Sequence, residues 1–135
     1  MTSTEKQKKK ILIIEDSNDI LEVTTRILAA RGYEPIPLNS GREALVQIQQ
    51  HHPDLVICDM FLEDDSGLDI CQLMKSNPQT SSIPILLTTG HDNIQEFAEK
   101  NKQLHQPDAY LCKPFEIEDL LEKISVLLNQ QNFNF

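Results

Sequence analysis

Ile11-Leu12-Ile13-Ile14-Glu15-Asp16 sets four consecutive apolar side chains directly ahead of two carboxylates. Apolar residues at successive rather than alternate positions suit a strand covered on both faces, as in a parallel sheet packed between helices. Comparable short apolar runs follow at Leu55 to Cys58, Ile85 to Thr88 and Ala109 to Cys112, with amphipathic stretches between them. That alternation predicts an α/β domain. Tyr33 to Leu38 is a fifth candidate strand. Its Pro35 and Pro37 have no N–H to give to a ladder, so it belongs at a sheet edge.

Helix signals fill the intervals. Ile20, Val23, Ile27 and Leu28 keep helical spacing behind a Ser17 or Asn18 cap, and Gly32 stands where a left-handed stop is wanted. Ser40-Gly41-Arg42-Glu43 reads as a capping box opening a second helix through Ala44, Leu45 and Ile48; Ser66-Gly67-Leu68-Asp69 is a similar box before a third. The stretch from Pro78 to Pro84 ends that helix. Asp92 to Gln95 caps a fourth, with Ile94, Phe97 and Ala98 inward. Ile117, Leu120, Leu121, Ile124, Leu127 and Leu128 make the clearest stripe, that of a fifth helix. Residues 9–130 therefore read as one domain of five strands and five helices, between a flexible basic arm at 1–8 and a polar tail at 131–135.

Composition narrows the possible functions. A chain of 135 residues supports one ordinary domain with a sizeable core. Its acidic excess, 21 Asp and Glu against 12 Lys and Arg for a net charge of -9, argues against a nucleic-acid binder or a protein drawn to anionic lipid. Lys6, Lys8, Lys9 and Lys10 are the one basic cluster and read as a solvated arm. Cys58, Cys71 and Cys112 are odd in number and widely spaced, with neither a CxxC pair nor a zinc-like His spacing. No apolar stretch approaches the roughly 20 residues that cross a bilayer, and the N-terminus is polar, so the expected location is the cytoplasm.

An open parallel sheet binds its ligand beyond the carboxyl ends of its strands. Polar residues stand at those ends: Glu15 and Asp16 after the first strand, Asp59 after the third, Thr89 after the fourth and Lys113 after the fifth. Alone, each would read as a loop residue or a helix cap. Together, three carboxylates repel one another unless a cation neutralises them. Oxygen ligands with room for water favour Mg²⁺, with Mn²⁺ as a substitute and Ca²⁺ less suited. A metal, the Lys113 ammonium and the Thr89 hydroxyl around one carboxylate make a receptor for a phosphoryl group, which Asp59 could itself attack.

With these residues in place the chain resembles the receiver domain of bacterial two-component response regulators. The resemblance rests on Ile11 to Asp16, on Leu55 to Leu62 with Gly67 eight residues after Asp59, on Pro84 to Gly90, and on Tyr110 to Phe115. It spans about residues 9–130 and implies a flavodoxin-like, doubly wound parallel sheet of order 2-1-3-4-5. By position it further implies Asp59 as phosphoacceptor, with Asp16 and Asp59 as direct Mg²⁺ ligands. Glu15 would act through a coordinated water and Phe61 through its carbonyl. Lys113, joined to Pro114 by a cis peptide, would contact the phosphoryl oxygens. Thr89 is preferred to Thr88 because it lies five residues after Pro84 and directly before the small Gly90; with Tyr110 it would form the switch. Phe61 and His91 occupy the positions that tune hydrolysis in the family.

The implied donor is a sensor histidine kinase or a His-containing phosphotransfer protein. The implied output is a downstream protein target or a homodimer through the fourth helix, fifth strand and fifth helix. Such a domain is not an enzyme, catalysing only its own phosphorylation and slow dephosphorylation. Three departures from the commonest pattern stand out. Glu63 replaces a frequent Pro, Asp64 and Asp65 make the following loop acidic and are expected to be solvated, and Lys102 to Asp108 lacks the usual small-residue turn. A dehalogenase-type phosphatase would place its nucleophile after the first strand. A flavodoxin would need a hydroxyl- and glycine-rich loop where Glu15 to Asp19 would repel phosphate. The chain is read as a stand-alone receiver, or else as the receiver of a larger regulator or hybrid kinase.

Overall fold

Strand and helix alternate along the computed structural model, which describes residues 7–90 and 94–131. The order is β1 (Lys10–Ile14), α1 (Asn18–Ala30), β2 (Glu34–Leu38), α2 (Ala44–His51), β3 (Leu55–Asp59), α3 (Gly67–Ser76), β4 (Ile85–Thr89), α4 (Ile94–Lys100), β5 (Ala109–Cys112) and α5 (Ile117–Gln131). The five strands form one parallel sheet in the order β2-β1-β3-β4-β5. β2 is an edge strand, as its prolines require. Glu34 N donates to Lys9 O at 2.8 Å. Because donor direction alternates along a strand, the nitrogens of Pro35 and Pro37 face away from β1, where no donor is needed.

Alternation of side chains across the sheet divides the core in two. On one face Leu12, Ile14, Val56, Cys58, Ile85 and Leu87 meet Ala44 and Ile48 of α2 and Ile70, Cys71 and Met74 of α3. On the other, Ile11, Ile13, Leu55, Ile57, Leu86 and Leu111 meet Leu21 and Leu28 of α1 and Leu120, Ile124, Leu127 and Leu128 of α5. No helix among the described residues is long and apolar enough to cross a membrane.

Local details differ from the sequence reading. The inward face of α1 is Leu21, Thr24 and Leu28, whereas Ile20 and Val23 are 42 % and 55 % exposed. Buried Thr24 breaks the apolar pattern, so the stripe falls one residue early, an error of about 100° around the helix. Ser17 caps α1 as expected, its side chain accepting from Ile20 N, and Gly32 has φ +90. Ser40 does not cap α2, which starts at Ala44 behind Glu43 with no side-chain cap bond. Ser40 Oγ instead accepts from Arg42 N at 3.2 Å within the preceding turn. Ser66 caps α3 by accepting from Leu68 N at 3.2 Å, while Asp65, not Asp69, takes the Ser66 N–H at 2.7 Å. The proposed cap at Asp92 lies outside the described residues.

Candidate functional site

Parallel pairing brings the carboxyl ends of the strands to one edge. Ile14 lies opposite Cys58, Asp59 opposite Thr88 and Thr89 opposite Cys112. Glu15 and Asp16 therefore leave β1 beside the point where β3 ends in Asp59. β1 and β3 are neighbours in the sheet but not in the chain, which makes this the crevice where helices diverge to opposite faces. The site is thus a product of topology before any side chain is considered.

Carboxylate oxygens of Glu15, Asp16 and Asp59 lie within 4.8 Å of one another. Lys113 Nζ bridges two of them, 2.9 Å from Glu15 Oε1 and 2.9 Å from Asp59 Oδ2. Main-chain donors hold the remaining edges: Ser17 N on Glu15 Oε2 at 3.1 Å, Phe61 N on Asp59 Oδ1 at 3.2 Å and Glu63 N on Asp16 Oδ2 at 2.8 Å. Desolvation acts to lower the Lys113 pKa, but hydrogen bonds and charge from Asp59 and Glu15 outweigh it and raise it. The ammonium is thus fixed as a cation. An all-carboxylate donor set of this kind fits a hard divalent ion such as Mg²⁺ or Mn²⁺.

Thr89 is buried at the end of β4, and its carbonyl accepts from Lys113 N at 2.7 Å. Leu87 and its register partner Tyr110 belong to the α2–α3 half of the core. Thr89, two residues on from Leu87, faces that same side, whereas Thr88 faces the α1–α5 side. Tyr110 Oη donates to Gln106 Oε1 at 3.2 Å, and burial raises its pKa. The Lys113–Pro114 peptide is cis. Phe61 is 61 % exposed at the rim and bridges to Ser66. His91 lies outside the described residues. Among the described residues a Cβ added at Gly90 would meet nothing within 4 Å, so their packing gives no reason for its smallness.

Two contributors escaped the sequence reading. Asp64 is exposed but bonded: its carboxylate accepts from Ser40 Oγ at 2.5 Å, Gly41 N at 3.0 Å and Arg42 N at 3.1 Å. Those bonds, Ser40 first, lower its pKa. Asp64 is solvent-exposed as expected, and these bonds are what the expectation did not include. The second contributor is the N–H of Glu63, whose only advance signal was the absence of proline at that position.

The family model of the response regulator receiver domain matches residues 11–125. The chain belongs to that family, a family of signalling domains. It is 32% identical over 124 residues to the polar-differentiation response regulator DivK of Brucella ovis, covering 89% of this chain and 96% of DivK. To the heme response regulator HssR of Staphylococcus saprophyticus it is 28% identical over 123 residues, covering 91% of this chain but 53% of HssR; the chain thus spans about half the length of that relative. A putative response regulator from Chloroflexus aurantiacus superposes with a TM-score of 0.82 at 31% identity, covering 91% of this chain and 99% of that one.

Proposed function

We propose that this receiver accepts a phosphoryl group on Asp59 from a phosphohistidine of a sensor histidine kinase or phosphotransfer protein, in a Mg²⁺-dependent reaction. The observation that carries the proposal is the Lys113 ammonium held 2.9 Å from both Asp59 and Glu15 inside the three-carboxylate cluster. Asp16 and Asp59 would hold the ion directly, Glu15 through water and Phe61 through its carbonyl. Bound there, Mg²⁺ (or Mn²⁺) supplies neutralisation of phosphoryl oxygen charge. An Asp59 carboxylate oxygen attacks phosphorus in line, the new O–P bond forming as the P–N bond to the donor imidazole breaks. Lys113 transfers a hydrogen bond from the carboxylate to a phosphoryl oxygen.

The product adds roughly 1.5 to 2 negative charges at the strand ends. Thr89 would donate its hydroxyl to them, and Tyr110, on the same face, would follow into the space released. The α4–β5–α5 surface then shifts population toward a second packing that a protein target or another copy of the chain recognises. Treatment with acetyl phosphate and Mg²⁺, followed by intact mass, tests the reaction. One added phosphoryl group is expected, lost in Asp59→Asn. Equal labelling of the two proteins overturns the assignment.

A further inference from the structure

Asp16 follows β1, and a main-chain donor that orients it comes from the far side of the crevice. Glu63 N donates to Asp16 Oδ2 at 2.8 Å, a bond that exists because residue 63 is not proline. The loop carrying that N–H is itself tied down one residue later. Asp64 takes three donors from the turn before α2, Ser40 Oγ at 2.5 Å, Gly41 N at 3.0 Å and Arg42 N at 3.1 Å. Packing closes the same junction independently, since a Cβ at Gly41 would lie 2.8 Å from both Asp65 Cβ and Leu62 Cδ1. The loop also closes on itself through Leu62 N to Asp65 O at 3.1 Å.

We propose that Glu63 N–H and Asp64 form a two-step positioning element for Asp16: the turn at 40–42 fixes Asp64, Asp64 fixes the loop, and the loop amide fixes one oxygen of Asp16 so that the other is presented to the cation. The proposal deepens the phosphoacceptor reading and rests on it. Loss of a partner that orients a metal-ligating carboxylate typically costs about 10–100-fold in metal affinity. Asp64 touches neither substrate nor ion, so it is a positioning residue. Its effect must pass through the Glu63 amide.

Calorimetric titration of the full chain with Mg²⁺ tests this, with Glu63→Ala as the reference that loses one negative charge but keeps the N–H. Relative to Glu63→Ala, Glu63→Pro is expected to weaken binding by roughly tenfold, the lower end for loss of such a partner. Asp64→Ala should weaken it by a smaller factor. In the Asp64→Ala background, Glu63→Pro should weaken binding relative to Glu63→Ala by less than it does with Asp64 present, because both act through one bond and each comparison is matched in charge. A merely structural role would lower the thermal midpoint and leave the dissociation constant at that of Glu63→Ala. If Glu63→Pro does not fold, Asp64→Ala measured against Glu63→Ala decides. Variants that bind as tightly as Glu63→Ala, or losses that simply add, overturn the positioning element while the phosphoacceptor reading stands. An unsubstituted chain that fails to bind Mg²⁺ overturns both.

Discussion

Gly67 opens α3 against the end of β3, and replacing it with alanine tests how closely helix and strand are packed there. A Cβ there would lie 2.5 Å from Asp59 O, 2.9 Å from Met60 Cα and 3.1 Å from Asp59 C, all main-chain atoms. Ordinary contact begins near 3.4 Å, so strand and helix must part by about 0.9 Å. They resist parting, because Gly67 N donates to Met60 O at 2.8 Å. Overpacking of this kind costs about 1–3 kcal/mol. Alanine recovers up to roughly 0.5–1 kcal/mol through the lower entropy of its unfolded chain. Because the clashing atoms are main chain, the overpacking cost falls at about 2–3 kcal/mol, and Gly67→Ala is expected to lose a net ~1–2.5 kcal/mol, or roughly 3–10 °C in Tm. Urea unfolding followed by circular dichroism measures it, with Gly90→Ala as control. At Gly90 the added carbon meets nothing within 4 Å among the described residues. A Gly67→Ala midpoint equal to or above that of the parent would refute the reasoning.

Lys75 donates to Ser81 O at 3.4 Å, Ile83 O at 3.2 Å and Asp108 Oδ2 at 2.8 Å, with its side chain only 14% exposed. Lys75→Met strands the Ser81 and Ile83 carbonyls and leaves Asp108 Oδ2 with the Ile85 N–H at 2.8 Å, and should cost about 1–3 kcal/mol in urea unfolding, discounted for the partial exposure of Asp108. Burial pushes the Cys71 thiol from 9.0 up to about 11, and burial followed by the Asp59 charge raises Cys58 well above 9.0. Both thiols should resist alkylation at pH 8 in the folded protein and react in urea, as mass mapping will read. The sign for stability follows: the folded chain retains these protons longer than the unfolded one, so the contribution is full below pH 9 and declines as pH rises toward about 11. Phe61, exposed beside Asp59, is expected to slow water attack on the aspartyl phosphate. Phe61→Asn should shorten its lifetime, and an unchanged decay rate would remove that role.

The sheet was legible because its inner strands β1, β3 and β4 are buried on both faces and, with the half-buried β5, appear as unbroken apolar runs. Ile11 to Ile14 and Ala109 to Cys112 fall within the observed strands almost residue for residue. The edge position of β2 was equally legible, because proline's missing donor admits few alternatives. The strand ends followed from topology: once parallel order is fixed, Glu15, Asp16, Asp59 and Lys113 must converge, and the ion pairs show that they do. Helix faces were less secure. A helix reports its inward side only through periodicity, and one polar member, Thr24, was enough to rotate the assignment of α1 onto Ile20 and Val23.

Asp64 was illegible for a different reason. Two of its three donors are main-chain N–H groups, which every residue but proline carries, so nothing in Gly41 or Arg42 marks them as partners of a carboxylate more than twenty positions away. Ser40 offered a conspicuous local use as a helix cap, and that use was assigned. The chain instead starts α2 four residues later and turns Ser40 toward Asp64. An acidic loop therefore reads as solvated until the fold places a turn rich in unpaired donors against it. The same holds for Glu63, whose side chain is incidental and whose amide matters. Substitutions that spare side-chain charge but remove an N–H, such as Glu63→Pro, will then reveal more about this site than those that remove carboxylates from the same loop.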